Sequence, residues 1–144
     1  MIAALDPEFD QAVVSTESAK EVEQYVRRDL SSGEVARLTN NRDYSPEITN
    51  AQKQIIPVSR PDGYRFWVTV TTPADWTPGT RLPAIFWFYP REFTDQASYD
   101  RTRRNFNRNA FPNLSPRSMV YLITHGYAVV EPDAPIVGES GRMN

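Results

Sequence analysis

The residues able to do chemistry are few, and most crowd the second half of the chain. Gly138-Glu139-Ser140-Gly141 approaches the nucleophile-elbow pattern G-x-S-x-G, but Arg142 stands where the last glycine is required. An elbow places its Ser on a sharp strand-to-helix turn, so Ser140 is not expected to be a nucleophile. His125, the single histidine, lies just before Gly126 at the end of an apolar run. A helix C-terminus favours a partly charged imidazole there, and no acid partner lies at a suggestive spacing, so capping rather than catalysis is expected. Asp133 and Glu139 stand six residues apart in a Pro/Gly segment and specify little as an acid/base pair. Arg101, Arg103, Arg104, Arg108 and Arg117 fill a window without Asp or Glu, interleaved with Phe106 and Phe111. Such interleaving can bind single-stranded nucleic acid. The plainer reading is a solvated loop that pairs with acids elsewhere, and a third is an Arg selecting an acidic substrate side chain.

Composition narrows the classes. At 144 residues the chain is long enough for about one domain. A formal net charge of −2 supplies no global basic field, so nucleic acid is not an expected partner. Absent cysteine excludes disulfides and Cys-ligated metal or iron–sulfur sites, and one His excludes H-E-x-x-H. No metal or cofactor is expected. No apolar run approaches the roughly 18 residues of a membrane span, so no membrane partner is expected either. Met1 to Leu5 lacks a basic flank and does not read as a secretory signal. Twelve Pro against six Gly disfavours a helical bundle. The 14 Arg against two Lys suit bidentate pairing with carboxylates, though GC-rich coding produces the same bias.

The elements that must position these residues follow from turn chemistry. Residues 1 to 12 read as an irregular entry with a turn at Asp6-Pro7. Over 15 to 30 a helical stripe of Ala19, Val22 and Val26 competes with a strand. The Ser31-Ser32-Gly33 turn between Tyr25–Leu30 and Glu34–Thr39 favours a β-hairpin. Polar Asn40 to Pro46 marks a boundary. Gln54–Ser59 and alternating Tyr64–Thr72 form a second hairpin around Pro61-Asp62-Gly63. Leu82 to Tyr89 is apolar almost throughout, which predicts a strand buried on both faces. Arg91 to Asn113 reads as a loop. Ser115-Pro116 starts a helix with Met119, Val120, Leu122 and Ile123 as its buried stripe, closed by Gly126. Tyr127 to Glu131 is a second buried strand. Strand, helix, strand across 82 to 131 predicts a right-handed βαβ unit. A parallel sheet needs helices on both faces, and with one helix the chain alone looks unfinished.

Leu82-Pro83-Ala84-Ile85-Phe86-Trp87-Phe88-Tyr89-Pro90-Arg91-Glu92-Phe93 resembles the start of the hydrolase domain in prolyl oligopeptidase family serine peptidases, most of all their glutamyl-endopeptidase-like branch. His125-Gly126-Tyr127-Ala128-Val129-Val130 and Pro135-Ile136-Val137-Gly138-Glu139 resemble that branch too, and the Tyr25–Thr39 hairpin looks like the last part of a β-propeller blade. The resemblance covers roughly 15 to 144. It implies an α/β fragment: residues 1–50 ending a β-propeller in its last blade, and 51–144 opening an α/β-hydrolase domain. It further implies peptide-bond hydrolysis through an acyl-enzyme, with the Ser, Asp and His motifs of the family absent from these residues. The partners implied are a peptide substrate and the remainder of the same enzyme.

Tyr89 matches the family's oxyanion-hole Tyr. A phenol at a strand end can point into a crevice and stabilise developing negative charge; a core Tyr bonded to backbone is the alternative. Arg91, Glu92, Arg103 and Arg104 are further candidates for substrate contact. A competing function is a non-catalytic β-rich binding module using the Arg/aromatic loop 101–117.

Overall fold

The computed structural model describes residues 1–104, 109–112 and 114–138, with the side chains of Arg103 and Arg104 outside that description. The structure is β-rich, with antiparallel and parallel pairing, and it divides into two compact units, one built on Met1–Thr49 and the other on the elements from Gln52 onward.

The first unit is a four-stranded antiparallel meander, β1 (Ile2–Leu5), β2 (Gln11–Ser18), β3 (Glu21–Asp29) and β4 (Val35–Arg37), paired in chain order. The expected hairpin is β3–β4, with Arg27 opposite Ala36. Gly33 makes the turn at φ 75°, and its N–H donates to the Asp29 carbonyl. The strand reading of 15 to 30 therefore holds and the helical stripe does not. The irregular entry over 1 to 12 is corrected: β1 and β2 lie there. The Asp6-Pro7 turn joins them, with the Asp6 carboxylate accepting from the Gln11 N–H at 2.9 Å. Val13, Val14 and Thr16 suit an extended pleat, and β2 pairs on both sides, so Ala12 and Ser15 are buried. A single turn, α1 (Pro46–Thr49), closes the unit and buries Ile48.

The second unit carries a mixed sheet in the order β5-β6-β9-β7. β5 (Gln52–Ser59) and β6 (Arg65–Thr72) form the second hairpin in unbroken register from Gln52 opposite Thr72 to Ser59 opposite Arg65. β9 (Ala128–Pro132) adds antiparallel to β6, and β7 (Ala84–Phe86) adds parallel to β9. The expected parallel pair is thus present. The expected burial of Leu82–Tyr89 is not: β7 spans three residues, and Phe86, Trp87, Phe88 and Tyr89 are all exposed. Pro83 and Pro90 bracket the run, and β7 is an edge strand with a partner on one side among the described residues.

The connection from β7 to β9 is richer than a loop and one helix. It holds β8 (Arg91–Phe93), α2 (Gln96–Arg104) and a 3₁₀ helix, Met119–His125. The loop expected over 91 to 113 is corrected accordingly. α2 shows no apolar stripe, since Tyr99 is its one buried large apolar residue, so periodicity is silent there. Gln96 docks α2 on β6 by bonding both the N–H and the carbonyl of Arg65. β8 pairs in parallel with β10 (Pro135–Val137) as a separate two-stranded sheet. The helix start is corrected as well. Ser115-Pro116 opens a turn closed by the Ser118 N–H on the Ser115 carbonyl, and Ser118 is the N-cap. Gly126 ends the helix as expected, in the left-handed region at φ 80°. Val120 and Ile123 face inward with Val129 in the core.

Candidate functional site

The site grows from the registers of the mixed sheet. Ile55 opposes Thr69, and Thr69 opposes Glu131, so three strands set these side chains on one face in a single row. The β7–β9 register, Phe86 opposite Val130, continues one step past β7, where the Trp87 N–H donates to the Val130 carbonyl at 2.9 Å. The row and the segment beyond it line a cleft of about 430 Å³ with Trp87, Phe88, Tyr89, Arg91, Thr102, Glu131, Pro132 and Asp133. The cleft opens at the C-terminal ends of β7 and β9, where open α/β sheets generally hold ligands.

Tyr89 is 85 % exposed and borders this cleft. A core Tyr satisfied by backbone does not describe it. Two residues on, a compact node anchors the segment. The Arg91 Nη2 donates to Asp133 Oδ1 at 2.8 Å, and the Tyr99 hydroxyl donates to Asp133 Oδ2 at 3.3 Å while accepting from the Trp67 N–H. The Tyr99 ring meets Phe93 edge-on at 5.3 Å, and the Arg91 guanidinium sits 5.9 Å from the Phe93 centroid. Tyr99 is 1 % exposed, so α2, β6, β8 and the turn after β9 meet on one buried phenol.

Glu131 is the other carboxylate of the cleft. Burial among apolar neighbours pushes its carboxyl above the usual range, and the nearby Lys53 charge partly opposes this. The signal for Glu131 was a lone charge closing the apolar run Ala128-Val129-Val130. For Trp87 and Thr102 no local signal existed.

The other candidates are scattered. Glu92 is exposed on β8 and is not among the cleft's lining residues. Arg101 is exposed on α2, and Arg117 is exposed in the turn before the 3₁₀ helix. The window 101–117 is therefore not one loop. Arg103 and Arg104 close α2 with side chains outside the described residues, and Phe106 and Arg108 lie outside them too. Asp133 is engaged by Arg91, while Glu139 and Ser140 lie outside the described residues. His125 is the exposed last residue of the 3₁₀ helix, whose closing bonds come from the Gly126 and Tyr127 N–H groups. Among the described residues no three His, Asp or Glu gather as metal ligands, and no helix is long and apolar enough to cross a membrane.

Comparison with known proteins adds a lineage. No family model matches the chain. It is 28 % identical over 130 residues to a probable chloroplastic glutamyl endopeptidase of Arabidopsis thaliana, covering 88 % of this chain and 13 % of that protein. The corresponding probable glutamyl endopeptidase of Oryza sativa subsp. japonica is 27 % identical over 130 residues, covering 88 % and 14 %. A solved structure from an analysis of two prolyl endopeptidases aligns with 92 % of this chain and 17 % of its own, at 15 % identity and a TM-score of 0.47. The chain thus spans roughly one-eighth of the length of the curated relatives it matches. Over that span the chain is similar to glutamyl endopeptidases, a likeness that supports a partial serine peptidase of the prolyl oligopeptidase kind.

Proposed function

We propose that this chain is a working segment of a serine peptidase that cleaves peptide bonds through an acyl-enzyme, and that Tyr89 is its oxyanion-hole donor. The observation that carries the reading is the position of Tyr89: exposed beyond β7, bordering the cleft at the C-terminal ends of the parallel β7–β9 pair. In acyl transfer, attack on the carbonyl moves negative charge onto its oxygen. A preorganised phenol O–H aimed at that oxygen bonds the transition state more strongly than the substrate. The role asked of this chain is to hold that donor. The Arg91–Asp133–Tyr99 node fixes the segment two residues after it. The nucleophile and its base belong to the remainder of the enzyme.

The architecture is read in the same way. The four-stranded meander of Met1–Thr49 has the form of one propeller blade. The hairpin and β7–β9 pair from Gln52 onward serve as the opening of an α/β-hydrolase sheet. The substrate is a peptide. Arg91 keeps donors beyond the one given to Asp133 and can contact it, and Glu92, Arg103 and Arg104 are its weaker candidate contacts.

The test is Tyr89→Phe in the longer enzyme. It should lower kcat about 10²–10³-fold with little change in KM, the effect of losing one oxyanion donor. The ring is exposed, so the denaturation midpoint should not move. A normal kcat removes Tyr89 from the machinery.

A further inference from the structure

The carboxylate of Glu131 is half-buried in the cleft, and no hydrogen bond or ion pair reaches it among the described residues. Asp133, the second carboxylate of the lining, already has its charge matched by Arg91 at 2.8 Å. Lys53 shares the face of the sheet with Glu131, since it opposes Thr71 two places along from Ile55, but it reaches Glu131 through space only. A charge taken partly from water normally acquires a partner. Among the described residues the lining therefore sums to one negative charge, two carboxylates against one guanidinium, with the Lys53 ammonium acting on Glu131 from outside it. Around it stand Trp87, Phe88 and Tyr89, all exposed enough to offer a ring to a ligand. Aromatic faces attract cations and cover the carbon chain that carries them.

We propose that the cleft binds a primary ammonium group carried on an aliphatic chain, as on a lysine side chain or a free peptide amino terminus, with the ammonium on the Glu131 carboxylate and the chain against Trp87 and Tyr89. The charge count suits a monocation. An anion would meet two carboxylates, and a neutral chain would leave Glu131 half-buried with only the through-space Lys53 charge opposing it among the described residues. The cleft volume of about 430 Å³ accommodates an aminobutyl side chain with part of its backbone. Thr69 and Thr102 supply hydroxyls in the lining for the remaining ammonium protons. The inference uses Tyr89 only as a wall and stands apart from any role of its hydroxyl in hydrolysis.

The experiment titrates the 144-residue chain at constant ionic strength and follows binding by calorimetry and by tryptophan fluorescence, Trp87 being the indole in the cleft. The probes are Nα-acetyl-lysinamide, leucinamide and, as uncharged isostere, Nα-acetyl-norleucinamide. Saturable binding of an amine at about millimolar concentration is expected, with none of the isostere, and Glu131→Gln should weaken it about tenfold or more. Tighter binding of the lysinamide identifies a lysine side chain as the ligand, and tighter binding of leucinamide identifies an amino terminus. Glu131→Gln keeps the side chain's shape and removes a desolvated charge, so the fold should survive; Trp87→Phe should abolish the fluorescence change and leave a calorimetric signal. The proposal is overturned by no saturation up to about 50 mM, by equal binding of the isostere, or by unchanged affinity in Glu131→Gln.

Discussion

Single residues in this chain carry consequences in proportion to what they are bonded to. Tyr89 is free to act because it is exposed, whereas Tyr99 is committed to structure by burial and by its bonds to Asp133 and Trp67. Asp29 shows the same logic in a turn. Its Oδ1 accepts from the Ser31 N–H at 3.0 Å, the Ser31 hydroxyl at 2.7 Å and the Ser32 N–H at 2.8 Å. These donors, the Ser32 N–H foremost, hold its carboxyl at about 2 against an ordinary 3.8. The folded value lies below the unfolded one, so the charge stabilises the turn fully above about pH 4. That contribution is lost as pH falls through about 2. Asp29→Asn should therefore lower the denaturation midpoint at pH 6, and the gap to the parent should close between pH 4 and about 2. A gap independent of pH would show that the charge on Asp29 contributes nothing.

Elements were legible where their signals were local. Both hairpins follow from turns that the chain writes within five residues, Ser31-Ser32-Gly33 and Pro61-Asp62-Gly63. The close of the 3₁₀ helix at Gly126 is equally local: its N–H reaches the Ile123 carbonyl at 3.0 Å, and the Tyr127 N–H reaches that of Leu122 at 3.2 Å. No atom outside its chain neighbours stands within 4 Å of a Cβ built on Gly126. The cost of Gly126→Ala is then the left-handed backbone alone, about 1–2 kcal/mol. Thermal or denaturant unfolding should report that loss, with Gly126→Asn milder. A neutral Ala variant would mean that the cap relaxes out of the left-handed region. Elements with non-local causes were not legible. β8 and β10 are three residues each and lie more than forty residues apart, so neither has a pattern until the other is beside it. α2 is polar along its length and is held by Gln96 and Tyr99 rather than by a stripe.

At the scale of the molecule, the mixed sheet ends on β7 among the described residues, and its exposed Phe86, Trp87, Phe88 and Tyr89 follow directly. At the opposite edge Ile55 and Ile56 are 41 % and 43 % exposed on β5. Open sheet edges with apolar side chains invite pairing with another chain. The 144-residue chain alone should therefore self-associate as its concentration rises in sedimentation velocity. Charged replacements at Phe86 and Phe88 should shift it toward monomer. A monomer at every concentration would show that these edges are protected in solution.

The sequence by itself determined the turns, the two hairpins, the left-handed helix cap and the apolar character of the strands that became β7 and β9, because each rests on interactions within a few residues. It also carried the likeness to a peptidase family, through the run from Leu82 to Phe93. Only the tertiary structure decided that β1 and β2 join the first hairpin in one meander, and that β8 meets β10. It alone brought Ile55, Thr69, Glu131 and Trp87 into one row and left Tyr89 exposed at its end. Those facts depend on strand order and register, and a strand's side-chain pattern names its faces without naming its neighbours.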